Sequence, residues 1–325
     1  MSELLNSYTL EFERPVRDLE QQIKELKEVA QRPDLDLSKE IKALEKKVTH
    51  LLKDIYTQLS PWERVQLSRH PNRPHAMDYI NFLIEDFHAL AGDRRFLEDS
   101  AIVAGFGKFK GQKVAVIGIE KGRKTKEKIT HNFGMPRPEG YRKALRVMDM
   151  AGRFGIPIIT MIDTPGAFPG VEAEERGQAT AIAENLEKMF SIPSPIISAI
   201  IGEGGSGGAL GIAIADSVMM QEYSIYSVIS PESCASILWA DPKKADIAAN
   251  ALQLGPLKAM ELKIIDQIIS EPAGGAHRDW ELAAELLGQS IEQSLSEQVG
   301  KTIEQRISQR MEKFRIMGNE TLLGV

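Results

Sequence analysis

Four short apolar runs, separated by segments of helical spacing, constrain the fold of this chain more than any other feature of its sequence. The runs are Val114–Ile119, Ile156–Ile162, Pro195–Ile201 and Ser217–Met220. Helical patterns occupy Tyr141 to Phe154, Glu172 to Met189 and Ala209 to Ala215. Strands without polar alternation are typical of a parallel sheet with helices on both faces. The middle region, roughly residues 85 to 275, is therefore predicted to be an α/β domain.

The two ends of the chain differ, because their apolar residues recur every three or four positions. Two such sets, each on one helical face, precede residue 60: Val16, Leu19, Ile23 and Leu26, then Ile41, Leu44, Val48, Leu51 and Ile55. Ser38 is the predicted N-cap of the second helix. A further packing helix is predicted within Leu282 to Phe314. We therefore divide the chain into a helical hairpin (1–60), a central domain (61–280) and a C-terminal helix (281–325).

Composition limits the classes of protein to which this chain can belong. Of 325 residues, 42% are hydrophobic and 26% charged, as in ordinary globular proteins. No run approaches the ~18 apolar residues of a membrane helix, and the first residues lack the pattern of a secretion signal. The single cysteine, Cys234, excludes an internal disulfide and a multi-cysteine zinc site. We expect a cytoplasmic protein without a membrane partner, and the net charge of −6 makes a nucleic-acid partner unlikely.

The densest motif is a glycine cluster that follows the third apolar run. Five of the seven residues from Gly202 to Gly208 are glycine, and a helix of small residues is expected next. The first N–H groups of a helix lack intrahelical partners and lie at the positive end of its dipole. The amides of Gly207 and Gly208 are therefore candidate donors to a developing oxyanion. The alternative is a close contact between helix and sheet, for which glycine also serves.

A second turn follows the run that ends at Ile162. In Asp163-Thr-Pro-Gly166-Ala167, Pro165 fixes φ and Gly166 can adopt the positive φ of a type II turn. The N–H groups of Gly166 and Ala167 are candidate second oxyanion donors. An ordinary strand-to-helix turn is the alternative.

Two enzyme classes share parts of these motifs. Asp163 to Gly166 resembles the switch of GTP-binding proteins, but the Gly-Lys-Ser or Gly-Lys-Thr phosphate loop is missing, so we reject that class. Gly204 to Gly208 satisfies the Gly-x-Ser-x-Gly nucleophile elbow, with Ser206 as nucleophile and His277 as the one histidine downstream. A serine hydrolase therefore stays an alternative. Neither His-Glu-x-x-His nor paired cysteines occur, and we assign no metal to this chain.

A basic segment runs from Lys121 to Lys143. It holds eight Lys or Arg residues against two acids, Glu127 and Glu139. Such a segment in an acidic protein attracts anions. Contact with an anionic ligand or an acidic partner is one interpretation, and a solvated surface is the other.

Several motifs together resemble the alpha-subunit family of the bacterial acetyl-CoA carboxylase carboxyltransferase, over about Phe12 to Arg278. The matching blocks are Lys124-Thr-Lys-Glu-Lys-Ile129, Asn132-Phe-Gly-Met-Pro136, Pro138-Glu-Gly-Tyr-Arg-Lys-Ala-Leu145, Ile162-Asp-Thr-Pro-Gly-Ala167, Ala173-Glu-Glu-Arg-Gly-Gln178, Gly202-Glu-Gly-Gly-Ser-Gly-Gly-Ala-Leu210, Tyr226-Ser-Val-Ile-Ser-Pro-Glu232 and Cys234-Ala-Ser-Ile-Leu-Trp239. Because so many blocks occur in order, this resemblance is far more specific than one glycine motif.

The resemblance implies a crotonase (ClpP-like) fold of repeated ββα units, with oxyanion holes made of backbone amides. It implies an α2β2 assembly with a beta subunit, which carries the zinc, and further partners in biotin carboxyl carrier protein and biotin carboxylase. The reaction would transfer the carboxyl group of carboxybiotin to acetyl-CoA, giving malonyl-CoA in the first committed step of fatty acid synthesis. Gly207 and Gly208 match the family's alpha-side oxyanion glycines, and Gly204, Gly205 and Ser206 would form the turn that faces biotin. A partner-independent crotonase-fold acyl-CoA enzyme and a non-catalytic scaffold are further alternatives.

Overall fold

A computed structural model describes residues 8–31 and 36–318, and its centre is one eight-stranded sheet. The strands are β1 (Ile84–Ala89), β2 (Ile102–Phe109), β3 (Gln112–Ile119), β4 (Ile158–Thr164), β5 (Ile196–Gly205), β6 (Ser217–Gln221), β7 (Ile225–Ser227) and β8 (Gln267–Ile269). Their order is β1-β2-β3-β4-β5-β6-β8, and β7 pairs with the carboxyl end of β5. The first three strands are antiparallel, whereas β3, β4, β5, β6 and β8 run parallel. The predicted parallel sheet is thereby confirmed.

Helices cover both faces of this sheet. They are α1 (Arg14–Val29), α2 (Ser38–Thr57), α3 (Pro61–Ser68), α4 (Ala76–Leu83), α5 (Thr125–Thr130), α6 (Pro138–Arg153), α7 (Val171–Glu175), α8 (Gln178–Ser191), α9 (Ser206–Leu210), α10 (Pro231–Trp239), α11 (Ala245–Leu252), α12 (Pro256–Glu261), α13 (Trp280–Ser296) and α14 (Ile303–Ile316). Within residues 8–31 and 36–318, every helix is too short or too polar to traverse a bilayer.

Alternate residues of the central strands point into two separate cores. In β4, Ile158 and Ile162 join the core beneath α6 and α8, whereas Ile159 and Met161 join the core beneath α4 and α13. Every residue of β4 is buried, because helices exclude water from both faces. In chain order, β6 and β7 are followed by α10, and β2 and β3 are followed by α5 and then α6.

The antiparallel arm formed by β1 and β2 was not predicted. Gly105 and Gly107 interrupt β2, and glycine is depleted in strands. Here both are required, because a Cβ on Gly105 would lie 2.2 Å from the carbonyl oxygen of His88 in β1. Because the two backbones approach so closely, β2 needs these glycines, and its sequence therefore lacks the pattern typical of a strand.

Two predicted helices of the central domain have different bounds. The helix expected from Glu172 to Met189 is divided into α7 and α8, because Gly177 adopts a left-handed φ of +81°. The segment from Ala209 to Ala215 is helical only to Leu210, within α9, and then forms turns. The glycine cluster is only partly a turn, since β5 continues through Gly205.

The N-terminal hairpin forms as predicted, from α1 and α2. Ser38 is not its N-cap, because that residue already lies inside α2 and Leu37 occupies the cap. Asp36 instead accepts the N–H of Ser38 through Oδ1 at 3.1 Å. The predicted single C-terminal helix is wrong: two helices, α13 and α14, are separated at Gly300, whose φ is +84°. The division at residues 60 and 280 stays a prediction.

Candidate functional site

Helix α9 begins at the carboxyl end of β5, and its first backbone N–H groups lie there. Gly205 is its N-cap, and no side chain caps it. Within the part of the chain that the structure describes, no acceptor takes the N–H of Gly207 or Gly208. Unpaired donors at a helix start carry partial positive charge. The two candidate amides therefore retain the property that an oxyanion site requires.

Glycine is needed around these amides for different reasons. A Cβ on Gly208 would lie 2.4 Å from the carbonyl carbon of Gly166 and 2.5 Å from the nitrogen of Ala167. A Cβ on Gly205 would lie 2.3 Å from the carbonyl oxygen of Pro165. A Cβ on Gly207 would meet only Ile182, at 3.8 Å. Because they lack a Cβ, Gly205 and Gly208 allow the junction of β5 and α9 to contact the turn at Pro165 to Ala167. Space remains open beside Gly207.

The second turn supplies fewer donors than predicted. The N–H of Gly166 donates to Thr164 Oγ1 at 3.0 Å, and the Thr164 hydroxyl donates to the carbonyl oxygen of Gly166 at 2.8 Å. The prediction of Gly166 as a free donor is therefore wrong. Its φ of +153° also differs from the roughly +80° of a type II turn. Ala167 remains the candidate donor of this turn, beside Gly208.

Two buried side chains that the sequence analysis did not identify hold α9 in place. The Tyr141 hydroxyl, from α6, donates to the carbonyl oxygen of Gly208 at 3.1 Å. Asn185 Nδ2, from α8, donates to the carbonyl oxygen of Gly211 at 2.9 Å. Both side chains are fully buried. A tyrosine and an asparagine within amphipathic helices give no signal of such a role in sequence.

A charged cluster lies at the carboxyl ends of β3, β4 and β5. Lys121 Nζ is 2.6 Å from Asp163 Oδ1 and 2.7 Å from Glu203 Oε2. Arg69 Nε is 2.6 Å from Glu203 Oε1, and its Nη1 is 2.5 Å from Glu232 Oε1. Burial works to raise the pKa of Glu203, but the charges and hydrogen bonds of Lys121 and Arg69 hold that pKa at about 2. Burial works to lower the pKa of Lys121, and the charges of Asp163 and Glu203 more than reverse this.

Ser206 has part of the geometry of a nucleophile elbow. It is exposed, it joins β5 to α9, and its φ of +50° is unusual for a non-glycine residue. His277 is engaged elsewhere: its Nε2 lies 2.9 Å from Glu13 Oε1 and its ring stacks on that of His70, with centroids 4.0 Å apart. Gly204 lies in β5, paired with Tyr226, rather than in a turn, so of the three predicted biotin-side residues only Ser206 lies beyond the strand.

The grouping of Glu13, His70 and His277 was missed, because these residues are far apart in sequence. One ligand atom from each lies within 4.8 Å of the others. However, His70 Nδ1 accepts the N–H of Asn72 at 3.1 Å, so the neutral ring carries its proton on Nε2. That protonation opposes coordination through Nε2. The assignment of no metal stays a prediction.

Ion pairs neutralise more of the positive charge of the basic segment than its sequence indicates. Five of its eight cations pair with acidic side chains: Lys121, Arg123, Arg137, Arg142 and Lys143. Lys124, Lys126 and Lys128, in or beside α5, form no ion pair within residues 8–31 and 36–318. Both interpretations of the segment remain open for these three lysines.

Solved structures share this architecture. The transcarboxylase 12S structure with methylmalonyl-coenzyme A and methylmalonic acid bound superimposes with a TM-score of 0.57 at 18% identity, over 71% of this chain and 43% of that one. A Pseudomonas malonate decarboxylase hetero-tetramer in complex with coenzyme A gives a TM-score of 0.57 at 12% identity, over 76% of this chain and 97% of that one. The predicted crotonase-type α/β fold is confirmed.

Sequence comparison is more specific. The family described as acetyl co-enzyme A carboxylase carboxyltransferase-like matches residues 9–318. The acetyl-coenzyme A carboxylase carboxyl transferase subunit alpha of Gluconacetobacter diazotrophicus is 51% identical over 96% of this chain and 98% of its own length. The same subunit of Geobacter metallireducens is 53% identical over 97% of this chain and 98% of its own length. The chain belongs to the acetyl-CoA carboxylase carboxyltransferase alpha-subunit family.

Proposed function

We propose that this chain, with a beta subunit, transfers a carboxyl group from carboxybiotin to acetyl-CoA and so forms malonyl-CoA. Carboxybiotin enters as a substrate carried on biotin carboxyl carrier protein, and biotin carboxylase would supply its carboxyl group. The proposal rests on the N–H groups of Gly207 and Gly208, which have no acceptor within the described residues and lie at the start of α9. Family membership supports the choice of substrates and partners.

The chemistry suits a site built from amides. When the bond between the ureido nitrogen and the carboxyl carbon breaks, negative charge develops on the ureido oxygen. The ureido nitrogen that has released the carboxyl group would take a methyl proton from acetyl-CoA, which gives an enolate that also carries its charge on oxygen. The enolate carbon would then bond to the carboxyl carbon. Each fixed N–H directed at such an oxygen lowers the barrier by roughly 3 kcal/mol. The open space beside Gly207 leaves room for a planar group to approach these donors.

Graded substitution of Gly207 tests this role. The chain is co-purified with its natural beta subunit, and malonyl-CoA-dependent carboxylation of free biotin is measured. Because the Cβ of Gly207→Ala meets only Ile182 at 3.8 Å, we expect this variant to assemble and retain most activity. Gly207→Val places a branched side chain in the open space beside Gly207 and should lower turnover by about 10²-fold or more. Normal turnover by an assembled Gly207→Val complex would refute the oxyanion role.

A second candidate function, serine hydrolysis, is supported by the exposed and strained Ser206. Ser206→Ala separates the two functions, because it removes the hydroxyl and leaves every backbone donor in place. Carboxyl transfer should stay within about fivefold of wild type, since a hydroxyl that only hydrogen-bonds contributes about 1 kcal/mol or less. A hydrolase would instead lose activity on acyl esters, and it would not need the beta subunit.

Assembly and location complete the proposal. We propose the α2β2 arrangement of the family, with zinc in the beta subunit and a cytoplasmic location consistent with a single cysteine. The chain should be inactive alone. Turnover of an acyl-CoA by the isolated chain would favour the partner-independent crotonase-fold enzyme instead.

A further inference from the structure

Strand β5 contains an unusual bulge just before the candidate amides. Ile162 of β4 pairs with Ile200 of β5, but the next pair joins Thr164 to Gly204. One residue of β4, Asp163, therefore faces three residues of β5. A bulge bends its strand and redirects the residues beyond it. Here the redirected residues, Glu203 to Gly205, pair with β7 and lead directly into α9.

The Asp163 carboxylate occupies the gap that the bulge creates. Its Oδ1 accepts the N–H of Glu203 at 2.8 Å, a donor that the interrupted β4 ladder leaves without a carbonyl partner. The backbone of Gly202 lies directly against this carboxylate, since a Cβ there would be 2.4 Å from Oδ1. A side chain of β4 thus replaces a missing part of the ladder.

Lys121 fixes that carboxylate in turn. It follows β3, so its ion pairs with Asp163 and Glu203 join the ends of three neighbouring strands. Gly134 covers the stem of the lysine, because a Cβ on that glycine would lie 2.6 Å from Lys121 Cγ. The lysine side chain is 16% exposed, so water screens its ion pairs only weakly.

We propose that Lys121 and Asp163 are positioning residues: their ion pair holds the bulge of β5 and thereby aims the N–H groups of Gly207 and Gly208. This inference rests on the proposed carboxyl transfer. Neither side chain touches the reacting atoms in this scheme. Their effect is transmitted through Glu203 and Gly205, the second of which packs against Pro165. A small shift of fixed donors is costly, because their contribution depends on where the oxyanion forms.

The test compares variants of Lys121 and Asp163 within the complex with the natural beta subunit. Lys121→Met keeps an unbranched stem and removes the charge, and Asp163→Asn keeps an oxygen for the N–H of Glu203 but loses the charge that faces Lys121. For each we expect kcat of biotin carboxylation to fall at least about tenfold, while KM for malonyl-CoA changes less than about threefold. Lys121→Arg, which restores a cation, should recover part of the lost kcat. Amide exchange should accelerate across residues 201–205 in both loss variants.

Asp216→Asn provides the matched control. At the other end of β5, the Oδ2 atom of Asp216 accepts the N–H of Ile196 at 2.8 Å and pairs with Arg310 at 2.7 Å. This variant should lower the thermal midpoint comparably and leave kcat per assembled complex near the wild-type value. If Lys121→Met and Asp163→Asn show wild-type kcat, or if Asp216→Asn lowers kcat as much as they do, the positioning role is wrong. If Lys121→Met does not assemble, Asp163→Asn decides by the same criteria.

The outcomes separate this inference from the proposed function. An inactive wild-type complex would count against carboxyl transfer itself. An active wild-type complex with equally active Lys121 and Asp163 variants would count only against the positioning pair.

Discussion

The two ends of strand β5 are built from similar parts but are completed differently. At the amino end, Asp216 accepts the N–H of Ile196 and pairs with Arg310. At the carboxyl end, Asp163 accepts the N–H of Glu203 and pairs with Lys121. Each end therefore has a carboxylate that binds a strand amide and a cation that neutralises the carboxylate.

The difference lies in what surrounds each pair. Arg310 uses its full set of five N–H groups, on Asp216 and on the carbonyl oxygens of Met189, Ile192 and Ser194. Beyond the carboxyl end, the amides of Gly207 and Gly208 have no acceptor among the described residues. Donors at a helix start lack intrahelical partners, and the proposed carboxyl transfer uses these two. The amino end is therefore a closed hydrogen-bond network, whereas the carboxyl end retains donors for the proposed oxyanion site.

The largest expected effect belongs to the amino end and concerns stability. Arg310→Met leaves the Asp216 carboxylate, of which only 4% of the side chain is exposed, without its cation. Breaking such a buried pair costs roughly 3–5 kcal/mol. Chemical denaturation of the isolated chain should show this loss in the free energy of unfolding. Carboxylation by whatever complex assembles should proceed at the wild-type kcat; a lower kcat would contradict the separation of the two ends.

The next effect belongs to the carboxyl end and concerns turnover. Gly208→Ala places a methyl group 2.4 Å from the backbone of Gly166, so the two turns must separate. We expect kcat to fall by about 10²–10³-fold, as when an oxyanion donor is lost. Gly207→Ala is the matched control, because its methyl group meets no atom closer than 3.8 Å. Equal activity of both variants would show that contact between the turns does not matter.

The sequence predicted the parallel sheet and the hairpin well, because both depend on local periodicity. Ile158–Ile162 is apolar except for Thr160, and such runs form buried parallel strands. The glycine cluster was correctly placed at a strand end. The sequence predicts a turn for its first part too, because nothing in Gly202 to Gly205 indicates pairing with β7, which lies 20 residues further along the chain.

The supporting side chains could not be predicted, because their partners come from distant segments. Lys121 was counted as one of eight cations in a basic segment, yet it is the one that joins β3 to Asp163 and Glu203. Gly166 was assigned as a donor, and only the fold shows that Thr164 takes its N–H. Local patterns predict elements, whereas hydrogen-bond partners depend on how those elements pack.

A smaller effect is expected where α6 supports α9. Tyr141→Phe removes the hydroxyl that donates to the carbonyl oxygen of Gly208 at 3.1 Å and keeps the ring that packs on Gly211. Leaving that buried acceptor unpaired costs about 1–3 kcal/mol of stability. Because this carbonyl belongs to the same residue as a candidate donor, we expect kcat to fall by a factor of a few, at roughly unchanged KM. Unchanged kcat in the presence of lower stability would restrict Tyr141 to a structural role.

The smallest effect is expected on acidification. As the pH falls, the contribution of His70, beside the N-terminal hairpin, should be lost at a higher pH than that of Glu203 at the carboxyl end of β5. Burial and the charge of His277 lower the pKa of His70 to about 3, whereas the unfolded residue titrates near 6.5. Between these values the unfolded chain binds a proton that the folded chain does not, so stability falls as pH drops below about 6.5. Glu203, with a folded pKa of about 2, loses its contribution only as pH falls below its ordinary value of 4.5. From pH 7.5 to 5.5 we expect the free energy of unfolding to fall by about 1 kcal/mol through His70.

His70→Asn keeps an acceptor for the N–H of Asn72 and should remove this dependence of the free energy of unfolding on pH. His88→Asn, at an exposed site, is the control and should leave the dependence unchanged. If the dependence also stays unchanged in His70→Asn, another residue causes the acid sensitivity.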